Sequence, residues 1–78
     1  MAVESFVLIQ TEPGRTAEVV ARLTSLPGIV RVTGVSGSYD VIAEAETRSI
    51  DEMGVLVGTN VTAVDGISRA VACPKVTI

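Results

Sequence analysis

Two short stretches of this chain follow one pattern, and this repeat limits the possible folds more than any other feature. Residues 26–32 and 64–70 each begin with an apolar residue, continue through a turn that contains glycine, and reach a strand. That strand starts with isoleucine and carries arginine at its third position in both copies. A chain that repeats a helix end, a glycine turn and a strand is built from two similar halves.

Apolar periodicity predicts the elements around the first copy. Residues 3–11 alternate as a strand, and residues 15–26 follow the three- and four-residue spacing of an amphipathic helix. Strands are predicted over 29–35 and 39–46. Because only a short turn at Gly37 separates them, they should form an antiparallel hairpin, with a positive backbone φ at the turn.

A second helix and a fourth strand surround the other copy. The residues at 49–52 match a capping box that starts a helix, and 67–73 match a strand. Gly54 and Gly58 each weaken such a helix by up to about 1 kcal/mol. We therefore expect them to allow close approach to a sheet or another helix. The apolar residues at helical spacing are Ile50, Met53, Val57, Val61 and Val64.

The element order is therefore β-α-β-β-α-β, which predicts an α+β, ferredoxin-like sandwich with two helices on one face of an antiparallel sheet. The first strand is apolar on both faces: Ser5 and Val7 point one way, and Phe6 and Leu8 the other. The face away from the helices should also carry residues 30, 32, 70 and 72. An apolar second face needs a cover, so we expect a homodimer that pairs the open sheet faces.

The size of the chain supports the same inference. With 78 residues it forms one domain, 1–78, and chains of this size bury only about 60% of their unfolded surface. The apolar fraction is 47%, and aromatic residues make up 3%. A core of this size is only marginally stable, so a partner subunit is the expected source of further stability.

Composition excludes several functions. The chain has no histidine and one cysteine, which rules out an internal disulfide, a histidine-ligated metal and a histidine base. We expect no cofactor and no metal. A net charge of −3 argues against direct binding to nucleic acid or to an anionic membrane. The N-terminus does not resemble a signal peptide, and no apolar run approaches the ~20 residues of a membrane span, so a cytoplasmic location is expected.

The loop at residues 35–40 is the candidate binding site, with Gly37, Ser38, Tyr39 and Asp40 as its functional residues. Glycine lets a ligand carboxylate approach backbone N–H groups. Asp40 either pairs with a ligand ammonium or caps the turn through a bond to the backbone. Tyr39 is expected to pack at an interface rather than contact the ligand directly. A small zwitterion such as an amino acid suits these groups.

Four segments, 6–14, 26–30, 35–40 and 64–67, lie in the order found in one family. The chain resembles, over about residues 4–77, the C-terminal effector-binding domain of Lrp/AsnC transcription regulators, also called the regulation-of-amino-acid-metabolism (RAM) domain. The resemblance implies dimers that assemble into rings of four or five. It also implies amino-acid binding between dimers near Gly37, Ser38, Tyr39 and Asp40, and no enzymatic activity.

Two departures from these regulators shape the expected function. Their helix-turn-helix is missing, so the chain is predicted to be a stand-alone form that acts by co-assembly with full-length Lrp/AsnC regulators. Residues 69–72 read Arg-Ala-Val-Ala where relatives often have Arg-Thr-x-Thr. The absence of these threonine hydroxyls and the weak second helix favour one alternative, a purely structural assembly module without ligand. Another is a small dimeric monooxygenase or isomerase of the ferredoxin-like type, disfavoured because histidine and tryptophan are absent.

Overall fold

The computed structural model describes residues 2–76 and confirms the predicted order of elements. The sheet order is β2-β3-β1-β4 and every neighbouring pair is antiparallel, which is the ferredoxin-like sandwich. The elements are β1 (Val3–Thr11), α1 (Thr16–Thr24), β2 (Ile29–Gly34), β3 (Val41–Thr47), α2 (Ile50–Val55), a π-helical segment (Leu56–Val61) that continues α2, and β4 (Ile67–Pro74).

The core lies between the helices and one face of β1 and β3. Val7 and Ile9 of β1 are fully buried, and Ala43 of β3 lies opposite Val7. Val19 and Leu23 of α1 cover this face and are fully buried as well. The prediction that alternate residues of the first strand face the helices is therefore confirmed.

The predicted face of Val32 was wrong, because β2 contains a bulge. Its register with β3 shifts between Ile29 and Arg31, which leaves Val30 as an extra residue that is 68% exposed. An extra residue reverses the alternation of side chains along a strand. Ile29 and Val32 consequently both pack against the core, although simple alternation places them on opposite faces.

A second bulge has the same effect on β4. The register between β1 and β4 shifts so that Ser68 has no residue opposite it on β1. Ile67 and Ala70 consequently both pack against the core. Ala72 lies two residues beyond Ala70 on the same side, whereas Val71 lies on the open face of the sheet. The prediction that residues 70 and 72 face away from the helices was therefore also wrong.

The first helix is shorter than predicted. It spans Thr16–Thr24 rather than 15–26, and the N–H groups of Ser25 and Leu26 bond to the carbonyls of Arg22 and Leu23 as the helix ends. The short connection from this end to β2 turns at Gly28, where φ is +95°. Because such a φ disfavours any residue with a Cβ atom, glycine is required at this turn.

The second helix begins at the predicted cap. The Ser49 side chain accepts a hydrogen bond from the Glu52 N–H at 3.1 Å. The Glu52 carboxylate in turn accepts from the Arg48 N–H at 3.2 Å, one residue before the position expected in a capping box. The first bond satisfies one of the N–H groups that the helix start leaves without an intrahelical partner, and the second ties down the residue that precedes the cap.

The predicted core spacing of this helix was wrong at its first residue. Ile50 is 68% exposed, and the buried residues are Met53, Leu56 and Val61, separated by three and then five positions. The five-residue step coincides with the π-helical segment, whose wider turn brings residues five apart onto one face. Spacing based on a regular α-helix could not anticipate this change.

Gly54 and Gly58 make no close approach within the chain. A Cβ atom at either position would meet no other atom within 4 Å, so the prediction that packing requires these glycines is not supported. Within the part of the chain that is described, none of the helices combines the length and apolar composition that crossing a bilayer needs.

Candidate functional site

The predicted site loop joins β2 to β3 and is closed by its own backbone. The Val35 N–H donates to the Asp40 carbonyl at 2.9 Å, and Gly37 has a φ of +124°, as the turn prediction required. A Cβ atom on Gly37 would meet nothing within 4 Å. The requirement for glycine is therefore conformational, and the backbone at this point is open to an approaching molecule.

Three hydrogen bonds fasten the loop to the end of β1. The Asp40 N–H donates to the Ile9 carbonyl at 2.9 Å, and Gln10 Nε2 donates to the Ser38 carbonyl at 2.9 Å. The Oδ2 atom of Asp40 accepts from the Thr11 N–H at 2.8 Å. The Asp40 side chain therefore bonds to the backbone, which was one of its two predicted roles. Its partner is the neighbouring strand β1 rather than its own turn.

Threonine hydroxyls extend this connection to the first helix. Thr11 Oγ1 donates to Asp40 Oδ2 at 3.2 Å and lies 2.8 Å from Thr16 Oγ1. Because the Thr11 hydroxyl has a single proton, the Thr16 hydroxyl must act as donor to Thr11 when Thr11 donates to Asp40. The loop, the end of β1 and the first turn of α1 are thus linked in one chain of hydrogen bonds.

The four predicted residues differ in exposure. Gly37 and Ser38 are exposed, while Tyr39 and Asp40 are half-buried. Sequence reasoning missed Gln10 and Thr11, which lie 28 and 29 residues from the loop residues they bind. No local signal marks them, because they are the polar end of an otherwise ordinary apolar strand.

The open face of the sheet has an apolar centre. Phe6, which is 39% exposed, and Leu8 of β1 lie opposite Cys73 and Val71 of β4, and Ile42 of β3 lies on the other side of Leu8. None of these residues is covered by the helices. This open face is the surface that the sequence predicted to be hidden by a partner subunit.

Charged side chains lie at one end of this face. Lys75 Nζ is 3.4 Å from Glu4 Oε1, 3.6 Å from Glu44 Oε1 and 4.7 Å from the centre of the Phe6 ring. Arg31 Nε lies 3.7 Å from the other oxygen of Glu44. Each of the two carboxylates therefore has a basic partner, which limits the charge repulsion that a second copy would meet here.

An ion-pair cluster lies beyond the end of β1. The Arg15 guanidinium binds both oxygens of Asp65, at 3.1 and 3.0 Å, and also pairs with Glu18. These hydrogen bonds, and then the charge of Arg15, hold the pKa of Asp65 below its ordinary value. Bonds to Asp65 and Glu18 raise the pKa of Arg15 in turn. The cluster connects the start of α1 to the turn before β4.

This fold, with its open sheet face and glycine hairpin loop, defines a small α+β module of the ferredoxin-like class. The chain belongs to the family described as the Lrp/AsnC ligand-binding domain, whose model matches residues 4–73. The match includes both helices and all four strands except for the first residue of β1 and the last residue of β4.

Curated relatives include regulators and one enzyme. The HTH-type transcriptional regulator FL11 of Pyrococcus furiosus is 33% identical over 49 residues, which are 63% of this chain and 32% of that protein. A homocitrate synthase of Sulfurisphaera tokodaii is 30% identical over 67 residues, 85% of this chain and 14% of the enzyme. The aligned part of this chain thus spans about a third of the length of FL11 and less of the enzyme.

Solved structures share the fold at low sequence identity. TTHA0845 of Thermus thermophilus has a TM-score of 0.90 at 22% identity, covering 97% of this chain and 95% of that one. AsnC of Escherichia coli has a TM-score of 0.90 at 19% identity, covering 97% and 52%. The regulator NMB0573 of Neisseria meningitidis, in complex with L-Met, has a TM-score of 0.84 at 13% identity, covering 96% and 50%. At these identities the likeness shows the fold alone.

Proposed function

We propose that this chain is a non-enzymatic sensing and oligomerisation module linked to transcription regulation. It binds an amino acid or a similar small zwitterion at the loop formed by Gly37, Ser38, Tyr39 and Asp40. The observation that supports this most is the loop itself, which exposes the backbone at Gly37 while three hydrogen bonds hold it on β1. A loop that is already ordered loses little entropy when a ligand binds.

The ligand's two charged groups have separate partners in this proposal. Backbone N–H groups near Gly37 hold the carboxylate. Oδ2 of Asp40 is occupied by Thr11, so the ammonium is assigned to Oδ1 of the same carboxylate. Tyr39 packs at the interface beside the site. The Neisseria regulator, which shares the fold and was solved with L-Met, supports the choice of an amino acid.

Assembly is proposed to use the open sheet face. Two copies would bury Phe6, Leu8, Ile42, Val71 and Cys73 against each other, and the dimers would assemble further into rings with ligand sites between them. Apolar burial of this kind stabilises an association by about 25 cal/mol per Å² before the costs of ordering. The same face allows co-assembly with full-length Lrp/AsnC regulators, which would supply the contact with DNA that a net charge of −3 disfavours here.

Calorimetry and light scattering together test the sensing step. Each of the twenty amino acids is titrated into the protein, and the molar mass is measured with and without ligand. We expect heat with one or a few amino acids and a change in mass with the same ones. No heat with any amino acid, combined with an unchanged mass, removes the sensing claim.

A pair of substitutions then tests the role of Asp40. Asp40→Asn keeps an oxygen that can accept from Thr11 but removes the charge, and Asp40→Ala removes both. If the carboxylate holds the ammonium, both variants should bind the ligand about tenfold or more weakly, since such a charged bond contributes about 1.5–3 kcal/mol. Glu18→Gln, which removes one charge from the surface of α1, should bind as the wild type does. Full affinity in Asp40→Asn would show that the residue only holds the loop.

A second candidate is a purely structural module without ligand. One observation favours it: an oxygen of the Asp40 carboxylate already accepts a hydrogen bond from the Thr11 N–H. The carboxylate thus has a structural partner without any ligand. In that case the assembly has the same mass with and without amino acids, and Asp40→Ala alters thermal stability but no ligand response.

The match to homocitrate synthase favours a third candidate, in which the partner is a biosynthetic enzyme rather than a regulator. That match includes 85% of this chain, more than the match to FL11. Under this proposal the same amino-acid site controls an enzyme. Co-purification from native cells with an enzyme, and a change in its rate when the amino acid is added, would support it over transcription control.

A further inference from the structure

Two exposed side chains of opposite charge lie on the open face of the sheet, one near each end. Glu46 is on this face because Ala45, its neighbour in β3, is buried against the core. Arg69 of β4 lies opposite Gln10 of β1, and Gln10 is on the open face because Ile9 beside it is buried. The ion pairs formed within residues 2–76 include neither Glu46 nor Arg69.

The two charges are far apart within one chain. Glu46 lies opposite Glu4 of β1, whereas Arg69 lies opposite Gln10, six positions further along the same strand. At about 3.3 Å per residue, this spacing places the two backbone positions about 20 Å apart. Glu46 and Arg69 therefore cannot pair with each other inside one molecule.

Charge is distributed unevenly along the open face. Arg69 supplies the positive charge at one end, because the Asp40 carboxylate close by is bonded to Thr11 on the side of α1 instead. The other end has three carboxylates and two bases, a net charge of −1, which are Glu4, Glu44, Glu46, Arg31 and Lys75. Opposite charges thus lie on either side of the apolar centre.

We infer that two copies of this chain stack their open faces with the ends exchanged, so that Arg69 of each copy lies against Glu46 of the other. A two-fold axis makes the contacts identical, and the dimer then has two such ion pairs, one on each side of its apolar centre. Stacking with like ends together would bring the two acidic ends against each other, which repulsion disfavours. This inference rests on the sheet-face dimer of the proposed function and adds its orientation.

Charge reversal tests the orientation through the dissociation constant of the dimer, measured by analytical ultracentrifugation at low salt. Arg69→Glu and Glu46→Arg each turn both attractions into repulsions and should raise this constant about tenfold. The double variant, Arg69→Glu with Glu46→Arg, restores both pairs with the charges exchanged. Its dissociation constant should return to within about threefold of the wild type. Both side chains are exposed, so the fold should tolerate these changes.

Arg22→Glu is the matched control, because it makes the same change of charge on the exposed surface of α1. It should alter the dissociation constant by no more than about twofold. Single reversals without effect, or a double variant that fails to recover, overturn the orientation while the dimer itself stands. An equal loss in Arg22→Glu shows a general charge effect and also contradicts the pair. A wild type that stays monomeric overturns the sheet-face dimer together with its orientation.

Cross-linking with a short bismaleimide gives a second readout that does not depend on charge. Arg69→Cys and Glu46→Cys are combined with Cys73→Ala, which leaves cysteine only at positions 46 and 69. Stacked sheets lie about 10 Å apart, within reach of such a reagent, whereas the about 20 Å between the two positions of one chain exceeds it. We expect covalent dimers joined between positions 46 and 69, identified by peptide mapping. Links that join 46 to 46 or 69 to 69 show like ends together and overturn the proposal.

Discussion

The turns at Gly28 and Gly66 begin from the same sequence pattern and have similar backbone φ angles at the glycine. Their φ angles are +95° and +101°. The carbonyl of Gly28 accepts from the Glu46 N–H, and that of Gly66 accepts from the Glu12 N–H, each at 2.8 Å. Gly28 lies in the first half of the molecule, and its partner Glu46 lies in β3, in the second half. Gly66 lies in the second half, and its partner Glu12 follows β1, in the first half. The sequence repeat corresponds to a structural repeat in which each half supports the other.

The surroundings of the two turns differ. Gly66 lies against Arg15, whose guanidinium binds Asp65 and connects the start of α1 to this turn. Pro27 occupies the position equivalent to Asp65 in the other turn and borders a surface cleft of about 790 Å³ instead. The repeat pattern thus determines the turn, whereas distant side chains determine whether it is held by ion pairs or lines a cavity.

Alanine substitutions at the two glycines should have the largest effect on stability. A Cβ atom at Gly66 would meet Val19 Cγ2 at 2.9 Å, and one at Gly28 would meet Leu56 Cδ2 at 2.9 Å. Each change combines the strain of a positive φ with overpacking, together about 2–4 kcal/mol. Gly66→Ala should be the more harmful, because valine has less rotamer freedom than leucine and Arg15 also lies close. Urea unfolding measures both.

Two other glycines serve as controls for this comparison. Gly14 has a φ of +78° but open space around it, so Gly14→Ala should show the backbone strain alone, about 1–2 kcal/mol. Gly34 has no positive φ, and a Cβ atom added there would meet nothing within 4 Å, so Gly34→Ala should have a smaller effect still. Equal losses at all positive-φ glycines would show that crowding by Val19 and Leu56 is unimportant.

A smaller effect should appear as coupling between Gly28 and Leu56. Leu56→Ala alone creates a cavity and destabilises the fold, but it also removes the atom that a Cβ at residue 28 would meet. Adding Gly28→Ala to that variant should therefore be less harmful than adding it to the wild type, with a coupling energy of about 0.5–3 kcal/mol. The double-mutant cycle is measured by urea unfolding. Strictly additive effects would contradict the crowding seen at this turn.

The smallest effect should come from the ion pair that only the Gly66 turn has. The pKa of Asp65 is lowered in the folded state, first by hydrogen bonds from Arg15 and then by its charge. Its contribution to stability is therefore complete above the ordinary aspartate pKa of about 4 and is lost as the pH falls through the lower, folded-state value. Asp65→Asn should be less stable than the wild type at pH 7, by less than either glycine variant, since the group is exposed. A difference of the same size at pH 7 and at strongly acid pH would contradict this assignment.

The candidate site was predictable only in part. Gly37 and Asp40 stood out in the sequence because a glycine turn is followed by a carboxylate at the start of a strand, where it is disfavoured. The shorter of the two bonds that explain this carboxylate comes from the backbone N–H of Thr11, which any residue type at that position could supply except proline; the longer one, from the Thr11 hydroxyl, joins residues 29 positions apart. A backbone contact leaves no mark on residue identity, and a single threonine at the end of a strand gives no local signal of a partner so distant in sequence, so the sequence could not reveal either bond.

By itself, the sequence determined the order of the elements, the glycine turns, the Ser49 cap and the apolar character of both sheet faces. These features depend on local φ and ψ preferences and on the spacing of apolar residues, which act over a few positions. The tertiary structure alone decided the bulges at Val30 and Ser68, the π-helical turn after α2 and the contact of Asp40 with Thr11. They depend on how strands far apart in sequence align and on which side chains fill the space between them, and no local preference specifies either.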